Sequence, residues 1–169
     1  MNSLKFSEKL TRYKDTVFRT AFAFCRNTAD AEDVSQDVFI KLYTSDIEFH
    51  THDEEKAWLI RVTVNKCKDL RKSKWFVTRT ELDENIPASS QDDTENSEVL
   101  KAVLSLSEKY RIVIHLYYFE GYSVGEIADI TKRKPSTVQT QLQRGRELLK
   151  KQLGEGYDYE YGNQRALLL

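Results

Sequence analysis

The chain has 169 residues, of which 31% are charged, and its formal net charge is −1. This length predicts one or two small domains, and the charge balance excludes a uniformly basic nucleic-acid-binding protein. The sequence has no signal-peptide core and no apolar run long enough to cross a bilayer, so we expect a cytoplasmic protein without direct membrane insertion.

Charge is segregated along the chain. Residues 56–75 carry seven Lys or Arg against one Asp, a net charge of +6, whereas residues 79–98 carry one Arg against seven acidic residues, a net charge of −6. Basic segments separated by an acidic spacer predict two separate contacts with a polyanion. Cys25 and Cys67 lie far apart and outside any Cys-x-x-Cys motif, which predicts buried, reduced thiols.

Two amphipathic helices are predicted in the first third of the chain. Residues 4–26 repeat apolar side chains at helical spacing, and residues 30–43 place a core face on the second helix. Thr28 is predicted to cap the second helix. Three like-charged residues lie beside its core face, namely Asp30, Asp33 and Asp37. They indicate either a solvated face or a docking face for a basic partner. A metal site is the weaker interpretation, because no second helix supplies further ligands.

A polar loop and a basic helix follow. The loop holds Phe49, either a satellite core contact or a base-stacking residue, and two histidines without a further ligand cluster. On the helix of residues 56–75, Cys67 belongs to the inward face. A second stripe consists of Trp58, Arg61, Asn65, Lys68 and Lys72. It suits phosphate and base contacts, and a solvated helix with a tryptophan at the core edge fits equally well.

Residues 76–96 lose periodicity and are predicted to form a flexible acidic linker. A short helix from residue 97 is then followed by a longer helix that runs to Phe119 and ends at Gly121. Ser105 and Glu108 have the spacing of a capping box for this longer helix.

Residues 123–151 have the pattern of a helix-turn-helix that ends in a basic helix. Ser123 and Glu126 are spaced as a capping box, and Pro135 suits the first turn of the second helix. The packing face of this helix holds Val138, Leu142, Gly145 and Leu149. The face available to a DNA groove holds Ser136, Thr140 and Gln143, flanked by Gln139, Gln141, Arg144 and Arg146. An ordinary helical hairpin with a solvated basic face is the alternative.

Four stretches in this order resemble a bacterial sigma factor of the extracytoplasmic-function group. They are DAEDVSQDVFIKLY, KAWLIRVTVNKCKDLRK, LSLSEKYRIVIHLYYFEGYSVGEIADI and STVQTQLQRGRELL, with the acidic linker between the second and the third. The resemblance implies an all-α protein of two small helical domains joined by a flexible acidic linker. Residues 1–75 resemble region two, residues 76–96 form the linker, and residues 97–153 resemble region four; the role of residues 154–169 stays open.

The resemblance implies that the protein binds core RNA polymerase and directs it to promoter DNA, without bond chemistry or a cofactor of its own. It implies an anti-sigma partner as well. The implied polymerase-docking residues are Asp30, Asp33, Gln36, Asp37 and Phe39. Those that open the minus-ten element and hold a flipped base are Phe49, Trp58, Arg61, Asn65, Lys66 and Lys68. Those that read the minus-thirty-five element are Lys134, Ser136, Thr137, Gln139, Thr140, Gln143 and Arg144.

The chain departs from the family pattern at three positions. Gln139 and Gln141 stand where Lys or Arg is frequent, which weakens phosphate attraction but allows bidentate pairing with adenine. Lys132 stands where the turn often has Gly, and a positive φ there would carry strain.

Two other functions fit parts of the chain. A stand-alone helix-turn-helix regulator would bind duplex DNA as a dimer, but it leaves the acidic face and Trp58 unexplained. A metal-dependent helical enzyme would bind metal stoichiometrically through Asp30, Asp33, Asp37, His50 and His52.

Overall fold

A computed structural model describes residues 2–74 and 94–154, and within these ranges the backbone forms seven α-helices and no strand. This confirms the all-α prediction. The helices are α1 (Ser3–Cys25), α2 (Thr28–Thr44), α3 (His52–Lys74), α4 (Thr94–Ser105), α5 (Glu108–Ile114), α6 (Val124–Thr131) and α7 (Pro135–Leu153). A π-helical turn, His115–Phe119, continues α5.

The chain divides into two compact units, residues 1–86 and 87–169. Most of the predicted linker and nearly all of the predicted tail lie outside the described residues. Helix α4 begins at Thr94, so it includes the last three residues of the predicted linker.

In the first unit, asparagines rather than threonine cap the first two helices. The Asn2 side chain accepts a hydrogen bond from the Lys5 N–H, and the Asn27 side chain accepts one from the Asp30 N–H, both at 2.9 Å. The prediction that Thr28 caps α2 was wrong, because Thr28 is the first residue of that helix. Arg26, at φ +52°, ends α1 in the left-handed conformation and turns the chain toward α2.

Helices α1, α2 and α3 share one apolar core. Its buried side chains include Val17 and Ala21 of α1, Val34, Val38 and Leu42 of α2, and Leu59, Ile60 and Val64 of α3. The predicted core face of α2 is therefore confirmed. Leu10, which the periodicity of α1 also placed on the apolar stripe, is exposed.

A partly buried ion pair ties the first half of α1 to the start of α3. The Lys9 ammonium contacts the carboxylate of Glu55, which is almost completely buried. Nearby, the Tyr13 hydroxyl donates a hydrogen bond to the His52 carbonyl at 3.2 Å. Burial, and then the negative charge of Glu55, raise the pKa of Tyr13, so this hydroxyl stays protonated at neutral pH. These contacts fix the end of α3 that carries Trp58.

In the second unit, the turn between α4 and α5 differs from the prediction. Ser107, not Ser105, occupies the cap position of α5, and Ser105 ends α4 with its hydroxyl donating to the Ala102 carbonyl at 2.7 Å. Leu106, between these two serines in sequence, is buried. Its carbonyl accepts a 2.6 Å hydrogen bond from the buried Arg111 guanidinium, which holds this turn in place.

The capping box at the start of α6 is confirmed. The Ser123 N–H donates to the Glu126 carboxylate at 2.8 Å, and the Glu126 N–H donates to the Ser123 hydroxyl oxygen at 3.3 Å. The hydrogen bonds from the Ser123 backbone and side chain lower the pKa of Glu126 below its ordinary value. The negative charge is therefore kept at the N-terminus of α6, where the helix dipole favours it.

Lys132 ends α6 at φ +56° and ψ +44°, the left-handed conformation that glycine adopts without a steric cost. We therefore expect Lys132→Gly to exceed Lys132→Ala in free energy of unfolding by about 1 kcal/mol. Both substitutions remove the same side chain, so denaturant titration of the pair isolates the backbone effect. At Lys101, an exposed position inside α4, the order should reverse because glycine weakens a helix interior. Equal stability of the two variants at 132 would contradict the strain.

Candidate functional site

Helix α3 carries a basic and aromatic stripe outside the core. We call Trp58, Arg61, Asn65 and Lys68 the α3 stripe; they follow each other at spacings of three, four and three residues, which places them on one side of the helix. Arg61 is exposed and the other three are half-buried. Lys72, one turn further on, is exposed as well. The stripe thus presents an indole, an amide and cations along one line.

Phe49 packs against the tryptophan of this stripe. The centroids of the Phe49 and Trp58 rings are 5.6 Å apart at an interplanar angle of 58°, and the Lys9 ammonium lies 5.2 Å from the Phe49 centroid. Both rings are half-buried. The loop aromatic therefore makes a packing contact with the indole, and part of each ring stays accessible to solvent.

Lys66 does not belong to the α3 stripe, although the resemblance grouped it with the minus-ten residues. Its Nζ lies 3.2 Å from Oδ2 of Asp37, on the side of α3 that faces α2. Position 66 is offset from position 65 by about 100° around the helix axis, which accounts for the separation. Both side chains are more than a third exposed, so the pair contributes little to stability.

The acidic side of α2 is confirmed as a surface. Asp33, Gln36 and Asp37 are exposed, and Asp30 is half-buried in the first turn, where the helix dipole favours a carboxylate. Phe39, which the resemblance also assigned to polymerase docking, is only 6% exposed and packs in the core. Its side chain is therefore not available to a partner on this surface.

Exposed apolar residues that the sequence reasoning did not single out continue the same surface. Ile40 is 61% exposed and Tyr43 is 49% exposed, and they follow Gln36 at spacings of four and three residues. Tyr43 makes an edge contact with Phe6 of α1, at a centroid distance of 5.1 Å. We call Asp33, Gln36, Asp37, Ile40 and Tyr43 the α2 face. The available signal was Ile40, an apolar residue out of phase with the core face of its helix.

Helix α7 separates a packing side from an exposed side. The predicted packing residues Val138, Leu142, Gly145 and Leu149 are all buried. At Gly145 a Cβ atom would meet Cγ1 of Ile114 at 2.9 Å, so glycine is needed for α7 to approach α5 this closely. The α7 reading surface is exposed throughout; it consists of Lys134, Ser136, Thr137, Gln139, Thr140, Gln143 and Arg144.

Two side chains predicted to flank this surface turn away from it. Gln141 accepts a 2.9 Å hydrogen bond from the guanidinium of Arg133. Arg146 donates to the Tyr118 hydroxyl at 2.5 Å and lies over the rings of Tyr117 and Tyr118, at 5.4 and 5.5 Å. They hold α7 against the rest of the unit and are not available to a groove.

The exposed side of α7 has the geometry for anion contact. Lys134 occupies the cap position without a capping hydrogen bond from its side chain, and Pro135 opens the helix. The first N–H groups of a helix lack intrahelical acceptors and carry partial positive charge, which suits a phosphate oxygen. Arg144 forms an exposed ion pair with Glu147 at 3.0 Å, a contact weak enough to exchange for DNA.

The residues proposed for a metal site do not converge. Within residues 2–74 and 94–154, no group of three or more His, Cys, Asp or Glu side chains could hold a metal ion. His52 instead contacts the Arg12 guanidinium through Nδ1 at 2.8 Å. In the same described ranges, no helix is both long and apolar enough to cross a membrane.

Comparison with known proteins matches both units. The Sigma-70 region 2 family matches residues 10–77, and the Sigma-70, region 4 family matches residues 96–149. The ECF RNA polymerase sigma factor SigW of Bacillus subtilis is 30% identical over 165 residues, with 88% of each chain covered. The chain belongs to the extracytoplasmic-function group of bacterial sigma factors. It is therefore a sigma factor that directs promoter-specific transcription initiation.

Further relatives agree with this assignment. The RNA polymerase sigma factor SigV of Bacillus subtilis is 30% identical over 146 residues, covering 85% of this chain and 88% of its own. A solved structure of the sigma factor RpoE with the anti-sigma factor NepR from Bartonella quintana has the same fold, with a TM-score of 0.72 at 23% identity over 88% of this chain and 96% of that one. A stand-alone regulator is not favoured, because both sigma regions are present. Sigma factors are initiation factors rather than enzymes.

Proposed function

We propose that this sigma factor reads the minus-thirty-five element with the α7 reading surface. The main support for this proposal is that all seven residues of that surface are exposed, whereas the opposite side of α7 is buried. Ser, Thr, Gln and Arg side chains supply the donors and acceptors that match base edges in the major groove. Phosphate contacts at Lys134 and at the N-terminus of the helix would position it.

The α3 stripe is assigned to the minus-ten element. Capture of an unstacked base needs an aromatic face beside cations that follow the backbone, and Trp58 with Arg61 and Lys68 provides both. The Asn65 amide can read the edge of a flipped base. Lys66 is left out of this surface because it faces α2 and pairs with Asp37.

The α2 face is assigned to docking on core RNA polymerase. Its carboxylates suit a basic partner, and the exposed side chains of Ile40 and Tyr43 add the apolar centre that such interfaces require. Phe39 acts only by packing, since it is buried. Region two is assigned to residues 1–75, the linker to residues 76–96 and region four to residues 97–153, all acting in the cytoplasm.

We also propose an anti-sigma partner for this chain. Two solved structures share its fold: one is of the sigma factor RpoE in complex with the anti-sigma factor NepR, and the other is of CnrH in complex with the cytosolic domain of CnrY. An inhibitor that covers the α2 face would compete with polymerase. The test is competition for the purified sigma factor between core polymerase and a candidate inhibitor.

Arg144→Ala is expected to weaken binding of the holoenzyme to promoter duplex about tenfold, because one base or phosphate contact is worth roughly 1–3 kcal/mol. Glu147→Gln should strengthen binding slightly, since it removes a negative charge and releases Arg144 from its ion pair. Lys151→Ala, in the last turn of α7 and outside the reading surface, is the matched control. Fluorescence anisotropy at fixed salt measures all three. Unchanged affinity of Arg144→Ala would remove α7 as the reading helix.

A further inference from the structure

Two thiols on different helices of the first unit lie side by side. Cys25 is the last residue of α1 and Cys67 lies on α3, and their Sγ atoms are 3.9 Å apart although 42 positions separate them in sequence. They are the two cysteines of the chain, and no disulfide bond joins them in this structure. This proximity could not be predicted from the sequence, in which the two cysteines lie far apart.

We propose that Cys25 and Cys67 are a redox modification site, where a hydroperoxide converts the two thiols into a reversible intramolecular disulfide. The exposures of the two residues suggest the order of events. Cys25 is half-buried, whereas Cys67 is only 4% exposed, so peroxide reaches Cys25 first. Cys67, which lies beside it, then acts as the resolving thiol and forms the disulfide bond with Cys25.

The reaction balances with one molecule of hydrogen peroxide. The Cys25 thiolate attacks one peroxide oxygen and breaks the O–O bond, which gives a sulfenic acid and, after protonation, one water. The Cys67 sulfur then attacks the Cys25 sulfur, forms the S–S bond and displaces the second water. Two thiols have given up two electrons and two protons, and one peroxide has become two waters.

The packing of α1 against α3 leaves only a short distance for the two sulfur atoms to cover when the disulfide bond forms. A disulfide bond is about 2.05 Å long, so the sulfurs must approach each other by roughly 1.9 Å, which rotation of the two side chains can largely supply. Helices α1 and α3 already share a close-packed core around these positions, including Ala21 and Val64. Attack by a neighbouring thiol also competes with a second peroxide, which would otherwise overoxidise the sulfenic acid.

The bond would close a covalent loop around α2. It joins the end of α1 to the second half of α3 and encloses α2, the Phe49 loop and Trp58 within the ring. Closing a loop of this length restricts the unfolded chain, so the oxidised first unit should melt at a temperature at least about 5 °C higher than the reduced one. Cys67 lies on the buried side of α3, so the α3 stripe stays accessible in the oxidised protein.

The test uses the full chain, reduced and then treated with one to ten equivalents of hydrogen peroxide. We expect loss of both alkylatable thiols, a mass decrease of two hydrogens per chain, a Cys25–Cys67 linked peptide, and recovery by dithiothreitol. The melting temperature should rise in the wild type and stay constant in Cys67→Ala, or in Cys25→Ala if the first variant does not fold. Sulfinic acid on Cys25 with a free Cys67, or disulfide-linked dimers only, would overturn the proposal.

An equilibrium measurement shows whether the fold itself favours the bond. In glutathione redox buffers, the effective concentration of one thiol toward the other should be at least about tenfold higher in native protein than in denaturant. If the native fold favours the disulfide, the disulfide must also stabilise the native fold. A ratio above one must therefore accompany a rise in melting temperature on oxidation. A ratio of one or less would mean that the native structure does not promote the disulfide, and the proposal would fail.

Discussion

Trp58→Ala should leave promoter duplex binding intact and strongly impair strand opening by the holoenzyme. Stacking of a base on an aromatic ring is worth about 1–3 kcal/mol by alanine substitution, and an extruded base costs a few kcal/mol of lost stacking and pairing. Without the indole, the open complex should be roughly 10- to 100-fold less populated. Permanganate reactivity of unpaired thymines at the promoter, measured beside gel-shift affinity, separates opening from binding.

The fold provides sharp controls for this prediction. Trp58→Phe keeps an aromatic face and should retain most of the opening, whereas Phe49→Leu should give an intermediate defect because Phe49 packs against the indole. Lys72→Ala, on the same side of α3 but further along the helix, should change salt dependence more than opening. Normal permanganate reactivity in Trp58→Ala would eliminate base capture by the α3 stripe.

Ile40→Ser should weaken binding to core RNA polymerase about tenfold or more while leaving the melting temperature unchanged. The side chain is 61% exposed in the free protein, so the substitution removes no core contact, and apolar anchors at an interface centre commonly cost 1–2 kcal/mol or more when truncated. Competition binding against a labelled sigma factor measures the effect.

Salt dependence distinguishes the two parts of the α2 face. The defect of Ile40→Ser should be the same at low and high salt, whereas that of Asp33→Asn should be largest at low salt, because screening already weakens a charge contact at high salt. Leu4→Ser, at an exposed position on α1, is the matched control and should bind normally. Normal polymerase affinity of Ile40→Ser would move the docking surface away from Ile40.

Periodicity was sufficient to predict the packing faces. It placed Val34, Val38 and Leu42 on the buried face of α2, and it placed Val138, Leu142 and Leu149 on the buried face of α7. Local chemistry predicted the capping box of α6, whereas the same spacing at Ser105 and Glu108 did not form one. The features that were predicted correctly depend on contacts between residues three or four positions apart, and a sequence displays this spacing directly.

Features that depend on a neighbouring helix could not be predicted. Phe39 and Ile40 are adjacent apolar residues, and the resemblance assigned Phe39 to docking although Phe39 is buried and Ile40 is exposed. The pairing of Lys66 with Asp37 likewise depends on the position of α2 beside α3. Arg146 points away from the reading surface because its guanidinium packs over Tyr117 and Tyr118 of the π-helical turn. The proximity of the two cysteines likewise appears only when α1 and α3 are packed together.

Run-off transcription with core RNA polymerase on a genomic promoter library, with and without this sigma factor, tests the central claim most directly. We predict discrete new start sites that share two sequence elements, with Arg144→Ala losing selection of the upstream element and Trp58→Ala losing transcripts at the same sites. No new start sites, combined with tight binding to duplex DNA without polymerase, would contradict promoter opening by this chain.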